Sequence, residues 1–178
     1  QRLAAADPSI PKNILANKIF GGNLRIIFMG GAHLDPFYID KFAEYGIDIY
    51  EGYGMSECSP VISSNLPGCH KTGSIGRPLS NAEISFDNGE ILVRGTSVMK
   101  GYYNMPKETA ETLRDGWLHT GDKGYIDEDG FLFINGRVKN LIILSNGENI
   151  SPEEIENKFA LDDLVGEVIV TGEKNGLT

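Results

Sequence analysis

Residues 49–60, IYEGYGMSECSP, set a tyrosine between two glycines and then a hydroxyl beside a carboxylate. The hydroxyl of Ser56 can donate to a phosphate oxygen. The carboxylate of Glu57 is a ligand type for a hard divalent cation such as Mg²⁺. The same Ser-Glu pair can equally cap the helix or turn that follows. Tyr53 offers a flat platform for a base ring, or an ordinary core aromatic. Downstream, HTGD at 119–122 places Asp122 just after a glycine. A carboxylate there can accept both hydroxyls of a ribose, or sit in a Gly-Asp turn. GRVKN at 136–140 puts Arg137 and Lys139 two apart. On an extended segment both point to one face, and two solvated charges on a strand edge are the ordinary alternative. Gly30-Gly31 and Gly52-Tyr53-Gly54 let a backbone approach a ligand without an intervening Cβ, or merely turn the chain.

These residues need elements to hold them. PKNILANKIF (11–20) has Leu15 and Ile19 four apart, a helical spacing. NLRIIFMGGA predicts a short buried strand from Leu24 to Met29 that ends in two glycines. Asp35 as N-cap, Pro36 at the first helical position and Gly46 as the stop predict a helix, with Ile39, Phe42 and Ala43 on its apolar face. IDIYEGYG (47–54) is a second strand, so the order is that of a right-handed βαβ unit. Ligands of such sheets bind outside the carboxyl ends of the strands, where both glycine turns fall.

From about residue 72 the pattern becomes β-rich. Asn88-Gly89 between two strand-like runs predicts a hairpin. A short helix is expected from Pro106 to about 114. Residues 123–150 read as three or four short strands joined at Glu128-Asp129-Gly130, Asn135-Gly136 and Asn146-Gly147. Ser151, Pro152 and Glu154 carry the pattern of a capping box. EVIVTGE (167–173) predicts one more strand.

The chain has 178 residues, 40% hydrophobic and 23% charged, enough for one large domain or parts of two. Its net charge of −9 argues against nucleic acid as a partner. Cys58 and Cys69 have neither metal nor redox spacing, and His33, His70 and His119 are scattered. The absence of a disulfide framework points to a reducing compartment, and neither a signal peptide nor a transmembrane run is visible. A cytoplasmic protein is the expectation.

The motifs GGA, GYGMSE, GEILVRGTSVMKGYYNMPKET, GWLHTGD and GRVKNLIILSNGENISPEEIE follow one another in this order. Together they resemble the AMP-forming acyl-CoA synthetases, within the adenylate-forming enzymes, from about residue 24 onward. The last motif looks most like bacterial long-chain fatty acid CoA ligases. The resemblance implies ATP, Mg²⁺ and CoA as cosubstrates of a fatty acid ligase. It puts Tyr53 against adenine, Ser56 at the α-phosphate (threonine is usual there) and Glu57 on Mg²⁺. Gly30, Gly31 and Ala32, with Gly54 beside Tyr53, would line the nucleotide and acyl pocket. Asp122 and Arg137 would hold the ribose, Lys139 the interdomain hinge, and Gly147 the loop that swings toward the CoA channel. The implied fold is mixed α/β: a βαβ piece of a large-domain sheet, a barrel-like β region, then the first strands and helix of a small α+β domain. Residues 1–137 would be the rear of the large domain and 138–178 the start of the small one. The family's phosphate loop would lie upstream and its late lysine beyond Thr178, so the chain reads as an inactive middle-to-late piece. An amino-acid-activating or other carboxylate-activating adenylation enzyme, a stand-alone nucleotide-binding module and a non-catalytic interaction protein are the alternatives.

Overall fold

The computed structural model describes residues 10–32, 34–138, 140, 142–143, 149–162, 164–173 and 176–177. Helix α1 (Lys12–Phe20) stops at Gly21, whose φ of 77° is the left-handed conformation glycine tolerates best. Strand β1 (Ile26–Met29) and strand β2 (Asp48–Gly54) lie parallel, Ile26 opposite Asp48. Between them runs α2 (Pro36–Ala43). It starts as its sequence indicates: the Phe37 N–H donates to Asp35 Oδ1 at 2.8 Å, and proline fills the first turn, where no N–H is needed. This is the expected βαβ succession. The expectation of a buried β1 is corrected, because Ile26 and Phe28 are exposed. Alternate strand residues face opposite ways, and β1 forms the edge of its sheet.

A 3-10 turn (Ser56–Cys58) follows β2 directly. Strands β3 (Val61–Ser64) and β4 (Arg77–Pro78) then complete a sheet of order β1-β2-β3-β4 by antiparallel pairing.

A second sheet takes over from residue 82. Strands β5 (Ala82–Asp87) and β6 (Glu90–Gly95) form the expected hairpin. Asn88 and Gly89, with φ of 49° and 82°, supply the two left-handed residues that such a turn requires. Helix α3 (Pro106–Thr112) runs into β7 (Leu113–Arg114), and the chain returns through β8 (Trp117–Ile126) and β9 (Leu132–Arg137). Together they make a five-stranded antiparallel sheet, the barrel-like region. Of the two readings offered for Asp122, the Gly-Asp turn falls away, because Asp122 lies inside the ten-residue strand β8. Asn135-Gly136 also makes no turn: it lies within β9, opposite a register shift at Lys123 and Gly124.

Strands β10 (Ile142–Ile143) and β11 (Asn149–Ile150) pair antiparallel, and the Asn146-Gly147 turn expected between them lies outside the described residues. Helix α4 (Pro152–Phe159) begins after Ser151. The expected cap is not made, because the Ser151 hydroxyl donates to Glu153 at 2.9 Å. Of the strand expected at 167–173, only β12 (Gly172–Glu173) forms, paired with β13 (Gly176–Leu177). The Val170 N–H, a donor that a ladder would use, goes instead to Glu156 Oε1 of α4 at 2.8 Å.

One buried cluster joins the two larger sheets. Cys58 comes from the 3-10 turn and Ile62 from the first sheet, and Ile91, Val93, Leu118 and Leu132 from the second, all fully buried. Tyr53 and Met55 pack against this cluster, so the end of β2 is fixed relative to β8 by apolar burial.

Candidate functional site

The two glycine turns meet because they lack side chains. A Cβ on Gly30 would lie 2.8 Å from the Gly52 carbonyl oxygen, so the segment after β1 lies directly on the end of β2. Gly54 is needed for packing too, since a Cβ there would fall 1.9 Å from the Pro60 carbonyl oxygen. The Met55 N–H donates to that same carbonyl at 2.8 Å, which folds residues 55–60 back on themselves. Gly31 has φ of 85°, and Gly31 and Ala32 are both exposed.

Tyr53, Asp122 and Arg137 converge. The Tyr53 hydroxyl donates to Asp122 Oδ2 at 2.6 Å, across 69 residues of sequence. Arg137 Nε donates to Asp122 Oδ1 at 3.0 Å. The Asp122 side chain is 9% exposed while that of Arg137 is 66% exposed, so the carboxylate is set deep and the guanidinium covers it from outside. Burial, then the bond to Asp122, push the Tyr53 phenol far above its ordinary range, so it is a fixed proton donor. The backbone beneath is braced as well. The Thr120 hydroxyl donates to the Ile91 carbonyl at 2.8 Å and accepts from the Asp122 N–H at 3.1 Å. The Gly121 N–H donates to Glu90 Oε1 at 2.9 Å, and Glu90 Oε2 lies 2.9 Å from His119 Nδ1. The Val138 N–H donates to the Gly121 carbonyl at 2.8 Å, which holds the end of β9 beside Asp122. Each carboxylate oxygen has lone pairs beyond the one already used, so Asp122 can accept from two further hydroxyls.

The second cluster surrounds Glu57. Its carbonyl accepts from the Met99 N–H at 2.7 Å, and its Oε1 accepts from the Tyr102 hydroxyl at 2.8 Å. That bond and partial burial raise the Tyr102 phenol above its usual value. Ser56 is exposed on the same 3-10 turn, and its hydroxyl has no hydrogen-bond partner among the described residues. Among the described residues no group of three or more His, Cys, Asp or Glu side chains is placed to hold a metal. A half-buried carboxylate with a second oxygen to spare nevertheless fits Mg²⁺, which takes one or two carboxylates and completes its shell with phosphate oxygens and water. Burial pushes the Cys58 thiol up to about 11, so it is packing and not a nucleophile.

Of the sequence candidates, the structure thus joins Tyr53 to Asp122 and Arg137, and Gly30 to the Gly52 turn. It places Ser56 and Glu57 together on the turn that follows. Lys139 and Gly147 lie outside the described residues. Tyr102, Thr120 and Glu90 were not among the candidates. Tyr102 stands in the quoted run MKGYYNMPKET, but nothing there separates it from Tyr103, which is 90% exposed.

Residues 2–103 match the sequence model of the family described as "AMP-binding enzyme". The chain belongs to this family. The kinship with AMP-forming acyl-CoA synthetases drawn from the five motifs therefore holds. The chain is 41% identical over 164 residues to a long-chain-fatty-acid–CoA ligase of Bacillus subtilis, covering 84% of this chain and 29% of that protein. It is 38% identical over 170 residues to a 2-succinylbenzoate–CoA ligase of Bacillus cereus, covering 89% of this chain and 35% of that protein. Among solved structures, O-succinylbenzoate coenzyme A synthetase from Bacillus subtilis, in complex with ATP and magnesium ion, superposes with a TM-score of 0.77 at 34% identity. That match covers 92% of this chain and 38% of the other. This AMP-binding enzyme chain thus spans about a third of the length of the relatives it matches. No helix among its described residues is long and apolar enough to cross a membrane.

Proposed function

We propose that this chain is the nucleotide-binding section of an ATP-dependent, AMP-forming acyl-CoA ligase. The observation that carries the reading is the convergence of Tyr53, Asp122 and Arg137 at the end of β2. A buried carboxylate held from two sides is a preorganised acceptor for the ribose 2′- and 3′-hydroxyls. The Tyr53 ring, its hydroxyl tied down, presents a flat face to adenine. The exposed Ser56 hydroxyl donates to the α-phosphate, and Gly30, Gly31 and Ala32 border the adenine and acyl groups. Glu57 would hold Mg²⁺, which would supply charge neutralisation on the phosphates.

In the proposed reaction a substrate carboxylate attacks the α-phosphorus of ATP, giving acyl-AMP and pyrophosphate. The CoA thiol then attacks the acyl carbon and expels AMP. The chain's own residues bind, orient and neutralise. Residues 1–137 belong to a large domain and 138–178 to a small one. Lys139 serves as the hinge between them, and Gly147 belongs to the loop that approaches CoA. The phosphate loop and a late lysine come from other parts of the enzyme, so this chain alone turns over no substrate. Two free cysteines, one of them buried, suit a reducing, cytoplasmic setting.

The substrate proposed is a long-chain fatty acid. The similarity to 2-succinylbenzoate ligases, nearly as high, supports a second reading with an aromatic dicarboxylate. ATP–pyrophosphate exchange by the full-length enzyme, with palmitate or 2-succinylbenzoate as the acid, separates them. Asp122→Ala should lower the adenylation kcat/KM by about 10² or more, because two hydrogen bonds to a charged group are worth about 1.5–3 kcal/mol each. A loss below fivefold in a folded variant would remove Asp122 from the site.

A further inference from the structure

We propose that Tyr102 is a positioning residue: it orients the Glu57 carboxylate toward the divalent cation that a bound nucleotide carries. The inference rests on the ligase reading above.

Segment 98–109 grips Glu57 at two points. The Met99 N–H holds its carbonyl at 2.7 Å and the Tyr102 hydroxyl holds Oε1 at 2.8 Å. Tyr102 is itself anchored. Its N–H donates to the Thr109 hydroxyl at 2.9 Å, and Thr109 donates on to the Met105 carbonyl at 2.8 Å, inside the first turn of α3. Gly101 permits the approach: its φ is 149°, and a Cβ there would meet Thr109 Cγ2 at 2.7 Å. A rigid helix start therefore fixes a tyrosine, which fixes one oxygen of a carboxylate. Glu57 Oε2 accepts no hydrogen bond among the described residues and is left for a metal. Without the phenol the carboxylate turns about its side-chain bonds. A divalent ion then meets a disordered ligand and must order it on binding.

The test is Mn²⁺ binding to the full-length enzyme saturated with α,β-methylene-ATP, read from the free-ion electron paramagnetic resonance signal. Tyr102→Phe, Glu57→Gln and the double variant are compared with wild type, each checked by thermal denaturation. Tyr102→Phe should weaken Mn²⁺ about tenfold, at the low end of the effect of partners that orient metal ligands. Glu57→Gln should weaken it by at least as much. In the Glu57→Gln background, adding Tyr102→Phe should change affinity less than twofold. An equal loss in both backgrounds means a merely structural tyrosine and overturns the inference. So does a loss below twofold from Tyr102→Phe when Glu57→Gln weakens binding. If Glu57→Gln has no effect, the cation assignment of Glu57 falls and this inference with it, while the Asp122 ribose site is untouched. Should Tyr102→Phe not fold, Thr109→Val, which loosens the Tyr102 backbone, takes its place: weakening above threefold supports the inference and below twofold overturns it.

Discussion

Replacing Tyr53 by phenylalanine separates the two tasks assigned to this side chain. The ring, and with it any stacking on adenine, stays. The hydroxyl that donates to Asp122 Oδ2 at 2.6 Å goes. A hydrogen bond to a charged group contributes about 1.5–3 kcal/mol. Water replaces it poorly here, because the Asp122 side chain is only 9% exposed. Arg137 remains on the other oxygen, so the carboxylate keeps its charge partner and loses its fixed orientation. The cost to folding should be about 1.5–3 kcal/mol, seen as a lower denaturation midpoint. AMP affinity should fall about tenfold, which corresponds to ~1.4 kcal/mol of that bond. Free adenine, which has no ribose, should bind the variant and the wild type alike. Isothermal titration with AMP, adenosine and adenine measures all three ligands. An AMP affinity within twofold of wild type and an unshifted midpoint would refute the claim that the phenol organises Asp122.

Three further outcomes follow from the same geometry. Burial raises the Glu51 carboxyl above its ordinary 4.5, so its stability contribution is full below about pH 4.5 and is lost as pH rises through the folded value; Glu51→Gln should flatten that decline, measured as denaturation midpoint against pH from 4 to 8. Gly54→Ala would drive a methyl to 1.9 Å from the Pro60 carbonyl oxygen and should destabilise the fold by more than about 3 kcal/mol, read by urea denaturation. Lys139→Pro in the full-length enzyme fixes φ at the proposed hinge. Acyl-AMP formation should stay within about tenfold and thioester formation from supplied acyl-AMP should fall by about 10² or more; equal slowing of both halves makes the position a plain structural joint.

The parts of the fold that sequence reasoning reached are those punctuated by local chemistry. Asp35-Pro36 and Asn88-Gly89 each act through the backbone conformations or hydrogen bonds of adjacent residues, and each is where it was expected. Strand β8 was expected only from residue 123; its first part, 117–122, escaped because its inward face is Leu118, Thr120 and Asp122, which is no apolar alternation. Its buried polar groups are satisfied by Tyr53, Arg137 and the Ile91 carbonyl, all supplied from other strands. The reverse error occurred at 167–173, where an apolar run gave its backbone donor to a helix side chain. For the site, motif order marked Tyr53, Asp122 and Arg137 as residues of interest. That they touch is a property of the packed sheets: the cluster of Cys58, Ile62, Ile91, Val93, Leu118 and Leu132 presses the end of β2 onto β8. Tyr102 was invisible for the same reason, since its partner Glu57 lies 45 residues away.

The central claim is that Asp122, held by Tyr53 and Arg137, receives the ribose hydroxyls, and the ligand itself can be varied to test it. The measurement is the affinity of ATP and of 2′,3′-dideoxy-ATP for the full-length enzyme and for Asp122→Ala, by calorimetry. The account predicts that removing the hydroxyls weakens binding to the wild type by about tenfold or more, and to Asp122→Ala by less than twofold, because the acceptor is already gone. Equal losses in the two proteins would show that the hydroxyls bind elsewhere and would contradict the account.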